Sequence, residues 1–195
     1  MESTFRPDDA ARLWHGLQAS WWIAGGWAID LWLGRQTREH LDLDIAILRK
    51  DQWRVRRHLD GWDLHIAEEE TLSPLPRDEQ LDPPRHALWC RQDAEAGWAF
   101  ELLINESSGT DWVFRRDDRV RRRLSGIGHV TPEGLPVLSP EIVLLFKAKN
   151  RREHDEADFA NVHPTLDAGQ RRWLSAALRV AHPGHDWIGQ LSGTH

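Results

Sequence analysis

Asp42 and Asp44 stand two residues apart in a stretch where Leu41, Leu43, Ile45 and Ile47 alternate with Asp42, Asp44 and Ala46. Period-2 alternation marks a half-buried strand, here predicted over 41–48. On such a strand both carboxylates leave one face with roughly 6.6 to 6.8 Å between their α-carbons. Two carboxylates so placed repel each other unless they are solvated or neutralised, and two Mg²⁺ ions about 3.5 to 4 Å apart would neutralise them. Glu101 is the natural third ligand, alone among Ala99, Phe100 and Leu102 on a run that can pair beside the first. By itself an Asp-x-Asp equally describes a solvated strand edge, so the reading depends on the surrounding residues.

Upstream lies Gly25-Gly26, a tight turn whose backbone can approach a phosphate and whose following helix aims its N-terminal amides at an anion. Arg38 and His40, between the glycines and the aspartates, are donors that can reach phosphate oxygens. Lys147 and Lys149, on a later helix, can meet phosphate or base. Glu106 is a second candidate base, but its parity puts it on the face opposite Glu101. His86 and Cys90 are too few to make a metal site. The arginines of 115–123, interleaved with Asp117 and Asp118, read as an exposed hairpin. The tryptophans near Gly25 read as core, with Trp27 also able to stack on a base.

These residues need a frame. Ala10, Leu13, Trp14 and Leu17 recur at helical spacing after Asp8 and Asp9, predicting a helix over 8–19. Trp21 to Ala24 is a short strand, and Trp27 to Leu33 a helix closed by Gly34. A helix is expected over 51–59, a polar loop over 68–84, and a hairpin from 86–91 and 98–104, with further strands at 112–116 and 120–124. Ser139-Pro140 starts a helix, the run 151–158 is an ion-paired surface, and another helix runs from 166 or 167 to 181, where His182-Pro183-Gly184 stops it. The expected class is α+β: a small mixed sheet flanked by helices over 1–135, then a helical extension over 136–195 packed on it.

The chain has 195 residues, 40% hydrophobic and 29% charged, the balance of an ordinary globular domain. No apolar run approaches the ~20 residues of a membrane helix, and Met1 to Pro7 lacks the basic and apolar regions of a secretory signal, so a cytoplasmic location and no membrane partner are expected. One cysteine excludes an internal disulfide. A net charge of −6 argues against duplex nucleic acid and permits a cationic partner. The acidic Glu68 to Glu70 with Asp78, Glu79 and Asp82 could attract one, although solvated loop charge explains them equally. A monomer or homodimer is expected.

Gly25-Gly26-Trp27-Ala28-Ile29-Asp30, Gly34-Arg35, Thr37-Arg38, His40 and Asp42-Leu43-Asp44 together resemble the signature of aminoglycoside and lincosamide nucleotidyltransferases, within the DNA polymerase beta-like superfamily. Asp111 to Asp117 and Pro140 to Lys149 extend the similarity over most of the chain. The resemblance implies a nucleotidyltransferase fold, and Asp42 and Asp44 holding two Mg²⁺ ions and the triphosphate of ATP or another NTP. It further implies a nucleoside monophosphate, AMP first, passing to the hydroxyl of a small molecule with release of pyrophosphate. Glu101 falls where the family has its third carboxylate, usually an aspartate, which ligates one metal and acts as general base. Glutamate is one methylene longer. His154-Asp155 stands where similar proteins have Lys-Asp, which removes any role for a lysine there.

Other readings are a glycosyltransferase using Asp-x-Asp, for which the chain is short and the glycines unexplained, and a non-catalytic nucleotide-binding or antitoxin-like protein of the same fold. A kinase is excluded because no phosphate-binding glycine loop is present.

Overall fold

The computed structural model describes residues 3–68 and 71–193. Among them are ten strands and seven α-helices in mixed order. No helix is long and apolar enough to cross a membrane.

The chain opens with α1 (Pro7–Leu13), shorter than the expected 8–19 because the backbone turns at Trp14 to Gly16, where Gly16 takes a positive φ. Trp14 nevertheless faces the core, 5.7 Å from the ring of Phe100. Strand β1 (Trp21–Ile23) passes directly into α2 (Gly25–Leu33). The two glycines are therefore the first residues of the helix and not a separate turn. Gly34 ends α2 in the left-handed conformation, as its position predicts.

Strand β2 (Asp44–Leu48) is shorter than the alternation suggested. Leu41 is 60% exposed and Asp42 lies ahead of the strand, because pairing starts only where the neighbouring strands begin. A 3-10 turn (Arg49–Asp51) and α3 (Gln52–His58) follow as expected.

The expected loop over 68–84 is partly sheet. Strand β3 (Asp63–Glu68) pairs antiparallel with β4 (Thr71–Pro74), and only the stretch beyond Pro74 is irregular. Glu69 and Glu70 lie outside the described residues. The hairpin of β5 (Ala87–Arg91) and β6 (Phe100–Ser108) forms as read, with β6 running on to Ser108. Beyond it, β7 (Asp111–Val113) pairs with the end of β6 and with β8 (Arg121–Arg123), making a ribbon that leaves the main sheet.

Two further strands, β9 (Gly128–Val130) and β10 (Pro136–Leu138), complete the sheet, whose order is β4-β3-β5-β6-β2-β1-β10-β9. Because Val137 pairs with Ile23 of β1, the sheet continues past residue 135, and the change to helices comes after Leu138. Helices α4 (Pro140–Lys147), α5 (Glu153–Val162), α6 (Ala168–Ala181) and α7 (Trp187–Ser192) follow. The sequence reading did not anticipate α7. Asp167 caps α6 through a reciprocal bond with Gln170, and Glu141, fully buried in α4, accepts from Arg122 at 2.5 Å and from Gln170 at 2.9 Å.

The two faces of the central strands differ. Ile45, Ile47, Phe100, Leu102 and Ile104 form the core on one. Asp44, Ala46, Glu101, Leu103 and Asn105 look out on the other, toward α4.

Candidate active site

Strands β2 and β6 are parallel neighbours with Asp44 opposite Glu101, so their side chains leave one face of the sheet side by side. Asp42, two residues earlier, stands at the mouth of the same cavity. The cavity has a volume of about 520 Å³ and lies between this face and α4. Its lining includes the three carboxylates together with Gly25, Leu103, Phe146 and Lys147.

Sequence and neighbours put the acids under electrostatic stress. Burial, the charges of Glu101 and Asp42, and a hydrogen bond from Glu101 push the Asp44 carboxyl well above the usual range. Burial and Asp42 push Glu101 up to about 7. Two buried carboxyls this close relieve their repulsion by sharing a proton. Among the described residues no three His, Cys, Asp or Glu side chains are gathered to hold an ion as they stand. The donor set nonetheless suits a divalent cation, since oxygen ligands under mutual repulsion gain most from a hard positive charge. A cation drawing Asp42 inward would relieve that repulsion.

Gly25 explains the glycine corner. Its φ is +59°, and a Cβ there would stand 1.8 Å from Oδ2 of Asp44, so a side chain is excluded. The Ala24 amide donates to the Asp44 carbonyl at 2.9 Å, fixing the start of α2 against β2. The positive end of α2 thereby faces the cavity.

Gly26 has a different task. A Cβ on it would meet Nδ1 of His40 at 2.4 Å and Nη2 of Arg38 at 2.5 Å, so its bareness admits those two side chains. His40 is buried, its Nε2 paired with Oδ2 of Asp30 at 2.5 Å, while Thr37 donates twice to the other oxygen of Asp30. Arg38 pairs with Asp158 of α5 at 3.4 Å and donates to the Glu39 carbonyl. Neither side chain lines the cavity: they tie the 35–41 loop to α2 and α5.

Lys147 does reach the cavity, yet its ammonium is bonded to Asp155 at 2.6 Å and Asp158 at 2.9 Å, and it is only 10% exposed. Burial raises Asp155, and the contacts from Lys147 and Arg152 more than offset this, leaving it below the ordinary carboxylate range. Lys149 follows the end of α4 and stands exposed at the rim. Glu106 is held by Arg49 at 2.6 Å, away from the cavity lining. Trp27 packs on His40, with ring centroids 4.6 Å apart, and is not at the cavity.

Several lining residues were missed, among them Arg152 and Asp155 of the run read as an ion-paired surface. Arg115 and Arg116, assigned to an exposed hairpin, reach the cavity because the β7–β8 ribbon folds back over β6, and Asn105 lines its floor. Asn105 accepts from the indole of Trp112 at 3.0 Å. The one sequence signal was position: both arginines directly follow the apolar Trp112-Val113-Phe114.

Comparison with known proteins bears on family and fold. The aminoglycoside-2''-adenylyltransferase family is matched over residues 10–162. A lincosamide resistance protein of Staphylococcus haemolyticus is 42% identical over 153 residues, 77% of this chain and 88% of that protein. Among solved structures, ANT(2'')-Ia in complex with adenylyl-2''-tobramycin superposes with a TM-score of 0.57 at 14% identity, covering 87% of this chain and 93% of that one. Lincomycin-bound lincosamide antibiotic adenylyltransferase LnuA gives 0.57 at 17% identity, covering 85% and 100%. At such identities the two structures speak for the fold alone, which is that of a nucleotidyltransferase.

Proposed function

This chain belongs to the aminoglycoside-2''-adenylyltransferase family, and on that premise we propose that it transfers AMP from ATP to a hydroxyl of a small molecule of the lincosamide or aminoglycoside kind. The observation that carries the reading is the register of Asp44 with Glu101 in one cavity, with Gly25 against Asp44.

In this proposal the acceptor oxygen attacks the α-phosphorus of ATP. A bond forms between that oxygen and phosphorus, the bond to the bridging oxygen breaks, and pyrophosphate leaves with its electron pair. Glu101 takes the hydroxyl proton: a buried base near neutrality combines availability with driving force. Asp44, the register partner of Glu101, would stand beside it as a fellow ligand once a cation displaces the proton that the two acids share in the metal-free protein. The N-terminal amides of α2 offer the phosphates a fixed positive end, as the backbone approaches closely at Gly25. Lys147, anchored on Asp155 and Asp158, places a positive charge within reach of Asp44, and Lys149 at the rim is free to follow the ligand. Asp42, Asp44 and Glu101 would hold divalent cations, Mg²⁺ in the first instance, whose charge neutralises phosphate oxygens and stabilises the leaving group.

We also place the nucleotidyltransferase part at residues 1–138 and the helical extension after it, since β10 belongs to the sheet and α4 roofs the cavity. The test is pyrophosphate release from ATP and Mg²⁺ across a panel of lincosamides, aminoglycosides and sugar alcohols. Release with an acceptor, lost in Asp44→Asn, supports the reading. No release with any of them, despite bound ATP, sinks it.

A further inference from the structure

The turn between β7 and β8 brings two guanidiniums to the cavity, and they are bound differently. Arg116 donates to the Phe146 carbonyl at 2.7 Å and lies 5.4 Å from that ring's centroid. Arg115 lies 5.3 Å from the same centroid, and among the described residues no oxygen accepts a bond from it. Other part-buried arginines in or next to the strands are satisfied by carboxylates: Arg49 by Glu106 at 2.6 Å, Arg91 by Asp63 at 2.7 Å, Arg122 by Glu141 at 2.5 Å.

A guanidinium drawn partly out of water beside a like charge loses hydration without gaining a partner. Burial and the neighbouring Arg116 accordingly push the Arg115 pKa down to about 10, while Glu101 and Glu106 act the other way. Five N–H donors in a planar fork thus belong to the lining of the cavity that also holds Asp44 and Glu101. The three acids repel a polyanion, so a triphosphate entering here needs cationic contacts away from them. The ammonium of Lys147 is already engaged by two aspartates. Arg115 has its donors unspent, and its guanidinium sits over the Phe146 ring, which holds it beside the cavity.

We propose that Arg115 contacts the substrate directly, its fork gripping the non-transferred phosphoryl groups of the donor so that pyrophosphate departs against the guanidinium. This rests on the nucleotidyl-transfer reading.

The test is calorimetric titration of the full chain with Mg²⁺-tripolyphosphate and, separately, with adenosine. Arg115→Met keeps the aliphatic stem over Phe146 and removes the donors. Arg119→Met, an exposed arginine of the same turn bonded to Asp117, controls for loss of charge. Arg115→Met is expected to weaken tripolyphosphate binding about tenfold or more, with Arg115→Lys between it and wild type and Arg119→Met within about twofold, as charge-assisted bidentate bonds predict. Adenosine affinity stays unchanged throughout.

Equal affinity in Arg115→Met and wild type, an equal loss in Arg119→Met, or a wild-type chain that binds no tripolyphosphate overturns the assignment. If the Met variant does not fold, the Lys variant is read alone. A weakening of about threefold or more then supports the fork, and wild-type affinity refutes it. A chain that loses tripolyphosphate with Arg115 yet never releases pyrophosphate from ATP keeps the anion contact and refutes the transfer reading instead.

Discussion

Asp44 and Glu101 are register partners on adjacent parallel strands, and their carboxyls lie close enough to share a proton. Parallel pairing is what allows it. Residues separated widely in the chain become nearest neighbours on one face, so burial and Glu101 raise the proton affinity of Asp44, and Asp42 raises that of both acids.

The first consequence is a pH dependence of the metal-free protein. Glu101 has an ordinary value of 4.5 and is raised to about 7 in the fold. Its folded value exceeds its unfolded one, so the stability it contributes is full below about pH 4.5 and is lost as pH rises through 7. In EDTA the chain should therefore be less stable at pH 8 than at pH 5, by on the order of 3 kcal/mol from this group. Chemical denaturation at the two pH values measures it. Added Mg²⁺ should stabilise more at pH 8 than at pH 5, and a flat or inverted profile would contradict the arrangement.

Removing one of the paired acids separates stability from activity. Asp44→Asn keeps the shape and removes a buried negative charge, so in EDTA at pH 8 it should melt higher than wild type. Pyrophosphate release should fall at least about a hundredfold, because the cation and phosphate lose a ligand. Thermal denaturation and a coupled pyrophosphate assay read the two effects on one sample.

Side-chain length at the third carboxylate is a distinct question. Glu101→Asp restores the residue usual in the family and retracts the base by one methylene. Turnover should fall by about tenfold while ATP affinity holds, because the acceptor hydroxyl here has been placed for the longer chain. Glu101→Gln should abolish turnover. Equal loss in both variants would remove the role of reach.

The glycine corner should be intolerant at both positions for unlike reasons. Gly25→Ala drives a methyl into the Asp44 carboxylate at positive φ, and should cost about 2 kcal/mol or more along with activity. Gly26→Ala displaces His40 and Arg38, so it should loosen the 35–41 loop while leaving Mg²⁺-tripolyphosphate affinity largely intact. Hydrogen exchange of the Thr37 amide, bonded to Asp30, reports that loosening.

Lys147 should behave as a structural residue as well as a lining one. Lys147→Met strands Asp155 and Asp158, whose side chains are 2% and 1% exposed, without their shared cation. A loss of about 3 to 5 kcal/mol is expected, as for other broken buried pairs, and urea denaturation measures it. Lys149→Met, exposed at the rim, should leave stability unchanged.

Much of this was legible in the residue order, where the physics is local. Alternating Leu43, Ile45 and Ile47 put Asp44 on a strand. Gly34 stopped α2, and Ser139-Pro140 opened α4, since each acts within one turn of its own backbone. The family motif from Gly25 to Asp44 announced the chemistry. Tertiary structure alone decided what depends on partners far along the chain. Asp42 falls off the strand because a strand ends where its neighbours end. That Arg38 pairs with Asp158 and His40 with Asp30 was not readable from the loop they stand in, and Arg115 looked like a solvated hairpin charge until the β7–β8 ribbon folded it over β6. A charged side chain has no preferred role in sequence: whether it meets water, a carboxylate or a ligand is set by which distant surface folding brings against it.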